Sequence, residues 1–341
     1  MRATTGLSVC VSAALLACAS EDGPTQPEAG GNPAAASSAA AASNTWTAKA
    51  PRPPMGPVFE TFAGVAPNSA GQSIVYVFGG TDGEGTGLGT GAYNVATNSW
   101  TWRSSISIFA ANGVGTIGNK LYFSGGYNEV ETPSSFSNRL WAYNYAQDRF
   151  ILKASLPIFG AEGVTGVIDD ELYVLPGACS GDRYPDLPGY CAVEPTRRFY
   201  RYDPATNTWV TLRRAPHYHR QGAAAVIGGK FYVAGGFHDF QPVADLDVYD
   251  PATNTWRTLA PIPSAGRAIG TALKGKFHVL VGTNHYVYNP ATNTWQTRAA
   301  AQWPHDAVVR VTLDGLPYLL AVGGTHGPSL DIPNDSELYT P

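Results

Sequence analysis

The tripeptide Asn-Thr-Trp recurs along the chain, and this recurrence limits the fold more than any other feature. It stands at Asn44-Thr45-Trp46, Asn207-Thr208-Trp209, Asn254-Thr255-Trp256 and Asn293-Thr294-Trp295, as Asn98-Ser99-Trp100, and in degenerate form as Asp148-Arg149-Phe150. A second mark alternates with it: Gly79-Gly80, Gly125-Gly126, Gly235-Gly236 and Gly323-Gly324, decayed to Pro176-Gly177 and Val281-Gly282. Six copies of each mark mean six like units. Within a unit, runs such as Lys230-Phe231-Tyr232-Val233-Ala234 and Lys120-Leu121-Tyr122-Phe123 are short and rich in β-formers, and the glycines after them let the backbone turn sharply. Asp250-Pro251-Ala252-Thr253-Asn254 suits a tight turn, since Asp bonds backbone two residues on and Pro presets φ. No stretch beyond the N-terminal region shows helical periodicity, so the units are all-β.

From Trp46 onward the units average about 49 residues, against a period of about 50 for kelch arrays. The order of marks, best seen in Phe231 to Trp256, is a strand, Gly-Gly, a variable stretch, Tyr, Asp-Pro-x-Thr-Asn-Thr and Trp. In this the sequence resembles the kelch family over the whole of 44–341. The resemblance implies an all-β, six-bladed kelch-type β-propeller with four-stranded antiparallel blades around a central channel. The last residues, Glu337-Leu338-Tyr339-Thr340-Pro341, stop where Thr-Asn-Thr-Trp should follow, and the missing piece is Asn44-Thr45-Trp46. The N-terminal strand is therefore expected to complete the sixth blade and close the ring, leaving no exposed edge.

Residues 1–17 read as a lipoprotein signal peptide: Arg2 supplies a positive start, and Gly6 to Ala17 is apolar but too short to span a bilayer. Leu15-Leu16-Ala17-Cys18 resembles a bacterial lipobox, with Cys18 the lipidated residue, while Ala17-Cys18-Ala19 also fits an ordinary small-residue cleavage site. Residues 18–43 have little to bury and are expected to form a disordered Ala/Ser/Gly/Pro tether. These features predict an exported bacterial lipoprotein of the outer membrane or cell surface, touching the membrane only through its N-terminal lipid. In an oxidising compartment Cys179 and Cys191 are expected to pair as a disulfide, stabilising by about 3 kcal/mol. Metal ligation is the alternative for that pair, at a spacing unlike C-x₂₋₄-C.

Lys plus Arg is 22 against 26 Asp plus Glu, and no block of like charge occurs, so nucleic acid is not an expected partner. Gly270 to Lys276 imitates a phosphate loop, but Phe277 stands where Ser or Thr would bind Mg²⁺. The glycines at 83, 85, 87, 89 and 91 miss the dinucleotide spacing. No cofactor and no metal site is expected.

In the resembled fold, segments after each Trp and after each Gly-Gly emerge on one face, and the repeated turns emerge on the other. Variable loops on a rigid frame are where binding usually lives. Six of seven histidines are assigned to that variable face: His217, His219, His238, His285, His305 and His326. With Asp306, Asp239, Arg220 and Arg267 they could form a polar pocket at the channel mouth, or be histidines tolerated on exposed loops. Asn112, Glu162, Gln221 and Arg267 lie at nearly equal distances before their glycine pairs and are expected to ring the channel, holding either a carboxylated or polyhydroxylated ligand or ordered water. The insertion from Ala178 to Arg197 carries Asp182, Arg183, Tyr184 and Tyr190, residue types favoured at interfaces, and is a candidate partner loop.

The resulting expectation is a lipid-anchored binding module that recognises a protein or glycan through its variable face. The alternative, from another branch of the resemblance, is a periplasmic sugar epimerase or mutarotase of the sialic acid type. There Glu162 and a histidine, His219 first, would act as acid and base while Arg220 or Arg267 holds a carboxylate. Copper radical oxidases of the resembled superfamily need a free Cys, which the predicted disulfide would remove.

Overall fold

The computed structural model describes residues 43–53, 60–80, 89–128, 135–179, 194–324 and 334–341. The signal peptide, Cys18, nearly all of the tether, Cys191, the partner-loop residues Asp182, Arg183, Tyr184 and Tyr190, and His326 lie outside these residues.

Six antiparallel four-stranded sheets follow one another along the chain. Blade 1 comprises Phe62–Pro67, Ser73–Phe78, Thr90–Asn94 and Ser99–Arg103, from the axis outward. Blades 2, 3, 4 and 5 begin with the inner strands Val114–Ile117, Val164–Ile168, Ala223–Ile227 and Ala268–Leu273 and repeat that order. Blade 6 takes Ala307–Leu313, Leu316–Val322 and Asn334–Thr340 from the C-terminus, and its outermost strand, Thr45–Arg52, from the N-terminus. The inner strands neighbour one another in cyclic order, and that of blade 6 lies against that of blade 1. The chain is a closed six-bladed β-propeller.

The core is divided rather than central. Each of six apolar clusters fills the wedge between two neighbouring blades; the cluster of Val75, Val77, Val309, Val311, Leu320 and Leu338, for example, joins blades 6 and 1. The repeated Tyr of the third strand is fully buried in every blade, at Tyr93, Tyr143, Tyr202, Tyr249, Tyr288 and Tyr339.

The Asn-Thr-Trp mark holds neighbouring blades together. Its Asn adopts a left-handed conformation in each copy, the degenerate Asp148 included, with φ between 50° and 59°. Asn254 Oδ1 accepts from the Tyr249 hydroxyl at 2.9 Å and from the Arg213 backbone N–H of blade 3 at 3.1 Å. Two residues on, the Trp256 indole N–H donates back to the Arg213 carbonyl at 2.8 Å. Trp46, Trp100, Trp209 and Trp295 make the equivalent bond. Phe150 has no N–H to give, and there the Ser104 hydroxyl bonds the Asp148 carbonyl instead.

The Gly-Gly mark has two causes. Gly125 and Gly126 have φ of 69° and 91°. A Cβ on Gly125 would also lie 2.0 Å from the Gly160 carbonyl oxygen, where the segment leading into blade 3 crosses the end of blade 2. Any side chain there would be strained and blocked at once.

Candidate functional site: the channel mouth

On the face where the Gly-Gly pairs lie, the segments leading into successive inner strands meet around the axis. Backbone bonds join them in series: Ala110 N–H to Glu60 O at 2.9 Å, Glu162 N–H to Ala110 O at 2.8 Å, Gln221 N–H to Glu162 O at 2.7 Å and Ala268 N–H to Gln221 O at 2.9 Å. Glu60, Ala110, Glu162 and Gln221 all have φ between 55° and 61°, apart from Ala110 at 50°. Each such residue costs on the order of 1 kcal/mol against a right-handed conformation. The ladder offsets that cost and turns these side chains toward a cavity of about 360 Å³ on the axis.

At blade 6 the backbone series stops and a side chain takes over. Asp306, buried, accepts Arg267 Nη2 through Oδ1 at 2.9 Å; through Oδ2 it accepts the Thr61 backbone N–H at 3.1 Å and the Thr61 hydroxyl at 3.0 Å. One carboxylate thus ties blade 5 to blade 1 across blade 6. Behind it Arg52 is buried, gives one bond to the Gly89 carbonyl at 2.5 Å, and sits 5.2 Å from the Trp102 ring centroid. Burial lowers its pKa to about 10, against the opposing charge of Asp306.

Opposite, Glu162 is saturated. It forms an ion pair with Arg220 Nε and accepts Gln221 Nε2 at 2.6 Å, with Tyr127 close by. Burial lowers the Arg220 pKa, but the Glu162 bond and charge outweigh it, and the guanidinium ends above its usual range. Burial, then the Glu162 charge, raises the Tyr127 phenol. Glu60 differs from both: burial raises its carboxyl above the usual value, and the charges of Glu162 and Asp306 add to this while Arg267 and Arg220 oppose it. Among the described residues no ion pair or side-chain hydrogen bond holds it.

The structure divides the sequence candidates into two groups. Glu162, Gln221, Arg267 and Asp306 line the cavity, and Arg220 joins them through Glu162. Asn112 does not face the channel: it is fully buried, accepts the Gly163 N–H at 3.0 Å, and joins the segments leading into blades 2 and 3. Ala110 takes the ring position of blade 2.

The histidines are not gathered at the mouth. His219 is buried, with Nδ1 on the Gly235 carbonyl at 2.9 Å and Nε2 on Asp247 at 3.1 Å. His217 bonds the same carboxylate at 2.9 Å, and Thr258 does so at 2.8 Å. These bonds outweigh the burial that raises Asp247, and its carboxyl lies below the usual range. His305 repeats the arrangement in blade 6, with Nδ1 on the Gly323 carbonyl at 3.0 Å and Nε2 3.7 Å from Glu337. The His219 ring fastens the mouth segment of blade 4 to the third strand of that blade, while His305 Nε2 makes no hydrogen bond to Glu337.

His285 is not in a variable segment but in the third strand of blade 5, Asn284–Asn289, fully buried and 3.0 Å from His278 Nδ1. Its alternating neighbours Tyr286 and Tyr288 mark it as strand. Among the described histidines only His238 is exposed, in the short hairpin of Phe237–His238 and Gln241–Pro242, stacked on Tyr218 at 4.1 Å. Among the described residues no group of three His, Cys, Asp or Glu is placed to hold a metal ion. Cys179 is described only as backbone, pairing with Gly160 and Glu194.

Three features were missed by sequence reasoning. Glu60 is the unheld carboxylate of the mouth, Tyr127 lies close to Glu162, and Phe240 stands against Arg220. Phe240 is 79% exposed, with φ of 62°, and its ring lies 5.1 Å from the Arg220 guanidinium carbon.

The kelch motif family model matches residues 109–157 and 220–263. Over 157 residues, 43% of this chain, the sequence is 29% identical to the human Kelch repeat and BTB domain-containing protein 12, of whose length the chain spans about a quarter (25%). The solved structure of YjhT superposes with a TM-score of 0.63 at 15% identity, covering 84% of this chain and 94% of the other, a likeness of fold.

Proposed function

The chain is a kelch-repeat β-propeller, and from that premise we propose that it is a binding module whose channel-mouth face docks a protein partner. Kelch propeller domains commonly mediate protein binding. The observation that carries the reading is the contrast between the two faces. On the far face, Asn-Thr-Trp turns of one design repeat around the ring. On the mouth face, a large aromatic stands exposed beside a cavity ringed by carboxylate–guanidinium pairs. Exposed aromatics beside Arg and a concave polar site are where interface energy concentrates. The Leu15-Leu16-Ala17-Cys18 sequence supports an exported protein tethered by lipid at Cys18, so the partner is sought in the envelope or at the cell surface.

A sugar epimerase is the weaker reading. Glu162 is held by Arg220 and Gln221, and His219 spends both ring nitrogens on Gly235 and Asp247, so the two do not form an acid–base pair.

The experiment compares full-length protein with Phe240→Ala on the mouth face and Asn119→Ala on the far face as baits for envelope proteins, with sialic acids added as competitors. A protein retained by wild type and Asn119→Ala but lost by Phe240→Ala supports docking at the mouth. Displacement by a sugar at millimolar concentration, or conversion of that sugar, would overturn it.

A further inference from the structure

We propose that the ring closure is acid-sensitive: protonation at the His278–His285 pair of blade 5 releases the N-terminal strand, Thr45–Arg52, from blade 6 while the rest of the ring stays folded. The proposal concerns the frame and is independent of what the mouth binds.

A comparison of the blades leads to it. The residue after the second-strand partner of the repeated Tyr is His278 in blade 5 and Tyr76, Tyr122, Tyr173, Tyr232 or Leu320 in the others. The third-strand residue three before that Tyr is His285 in blade 5 and Thr90, Leu140, Phe199, Leu246 or Ser336 elsewhere. Blade 5 alone carries a group that titrates near neutral pH at either position. The third-strand position is one on which the next blade's Trp rests. Trp256 of blade 4 packs on Phe199 of blade 3 with ring centroids 5.0 Å apart, and Trp46 packs on His285 at 5.5 Å. The closing strand is therefore seated on an imidazole.

That imidazole pair cannot carry charge where it stands. His278 Nδ1 and His285 Nε2 lie 3.0 Å apart, and the other nitrogen of His285, Nδ1, is buried without a hydrogen-bond partner. Both rings are buried, in the wedge filled by Leu273, Leu280, Leu319 and Tyr339. The charged groups of blade 5 around them are cations: Arg298 from the outer strand, Lys276 from the second strand and Lys274 from the turn before it. Blade 6 contributes Tyr339 and Trp46. Its Glu337, on the same strand as Tyr339, accepts the Gln302 N–H and lies 3.7 Å from His305. A proton added to either ring arrives without a counter-ion, and burial and the neighbouring cations hold both rings below their usual range.

An imidazolium in this wedge needs water, and the strand best able to give way is Thr45–Arg52. It is the outermost strand of its sheet and pairs on one side only, with Asn334–Thr340. Hydrogen bonds and packing alone join it to that third strand, whereas the other five outer strands follow theirs through a turn. When Trp46 lifts, His285 meets solvent. If His285 then recovers an ordinary value of about 6.5, opening is favoured about 50-fold more at pH 4.5 than at pH 7 through that ring alone.

The test follows amide exchange of the full-length protein at pH 7 and pH 4.5, expressed as protection relative to the unstructured chain at the same pH. Protection of residues 45–50 is expected to fall at least tenfold more than that of Thr255–Thr258, the outer strand of blade 4. The double variant His278→Tyr, His285→Leu installs the residues that blade 4 carries as Tyr232 and Leu246, and is expected to abolish the difference. A melting temperature at pH 7 equal to or above that of the wild type shows that the variant is folded; otherwise His285→Leu alone takes its place. An equal fall in both strands, no fall in either, or a difference that persists without the histidines would overturn the proposal.

Discussion

The hydroxyl of Tyr339 donates to Asn44 Oδ1 at 3.0 Å, joining residues 295 apart with the bond that Tyr249 and Asn254 make across five. Register agrees: Trp46 pairs with Tyr339 and Thr45 with Thr340, as Trp256 pairs with Tyr249 and Thr255 with Asp250. The two ends of the chain therefore form one ordinary blade. A rigid ring is what allows loops from six blades to present a fixed mouth.

Removing the Asn44 side chain tests that closure. Asn44 accepts from both Tyr339 and the Ala299 N–H, and its φ of 59° disfavours Ala. Asn44→Ala is expected to cost about 2 kcal/mol in urea unfolding. It should also speed amide exchange across residues 45–50, whereas Asn254→Ala should cost as much and leave those amides slow. Free exchange of residues 45–50 in the wild type would contradict closure.

The wedge between blades 5 and 6 gives the fold an acid limit. His278 and His285 lie together among Trp46 and Tyr339. Burial lowers them to about 3 and about 4; His285, with Arg298, Lys276 and Lys274, further lowers His278, and Arg298 further lowers His285. Their folded pKa values lie below the unfolded value of about 6.5, so below that pH the unfolded chain binds more protons. Stability is complete above about pH 6.5 and falls as pH drops toward 4, by on the order of 3 kcal/mol from His285 alone. Urea midpoints from pH 7 to 4 check this, and His278→Phe should flatten the slope.

Phe240 should separate stability from binding. An aromatic residue with φ of 62° and 79% exposure gives the fold little. Phe240→Gly is expected to leave stability unchanged or raise it by up to about 1 kcal/mol, while reducing partner binding at least tenfold. Thermal melts and binding on the same preparations decide it; loss of stability would mean that Phe240 packs rather than recognises.

Blade number, closure and the two faces were legible because the Asn-Thr-Trp and Gly-Gly marks are themselves the inter-blade bonds and the crowded turns. The mouth was legible only in part. Counting back from the glycine pairs finds Glu162 and Gln221, but blade 1 joins its first two strands by five residues, 68–72, where blade 4 uses Gly228 and Gly229. That extra length hid Glu60. Counting forward to the inner strand would have found it, since Glu60, Glu162 and Gln221 each stand two residues before Phe62, Val164 and Ala223. Histidine count misled for another reason: His219 serves as a strut between the Gly235 carbonyl and the third-strand carboxylate of Asp247, and His305 is anchored on the Gly323 carbonyl, uses that no spacing in the sequence announces.

The most direct measurement is the titration of Glu60 itself, read from the carboxyl carbon shift of glutamate-labelled full-length protein and assigned with Glu60→Gln. The account predicts a pKa above 4.5, raised by burial and by Glu162 and Asp306 against Arg267 and Arg220. A Glu60 pKa at or below 4.5 would contradict it.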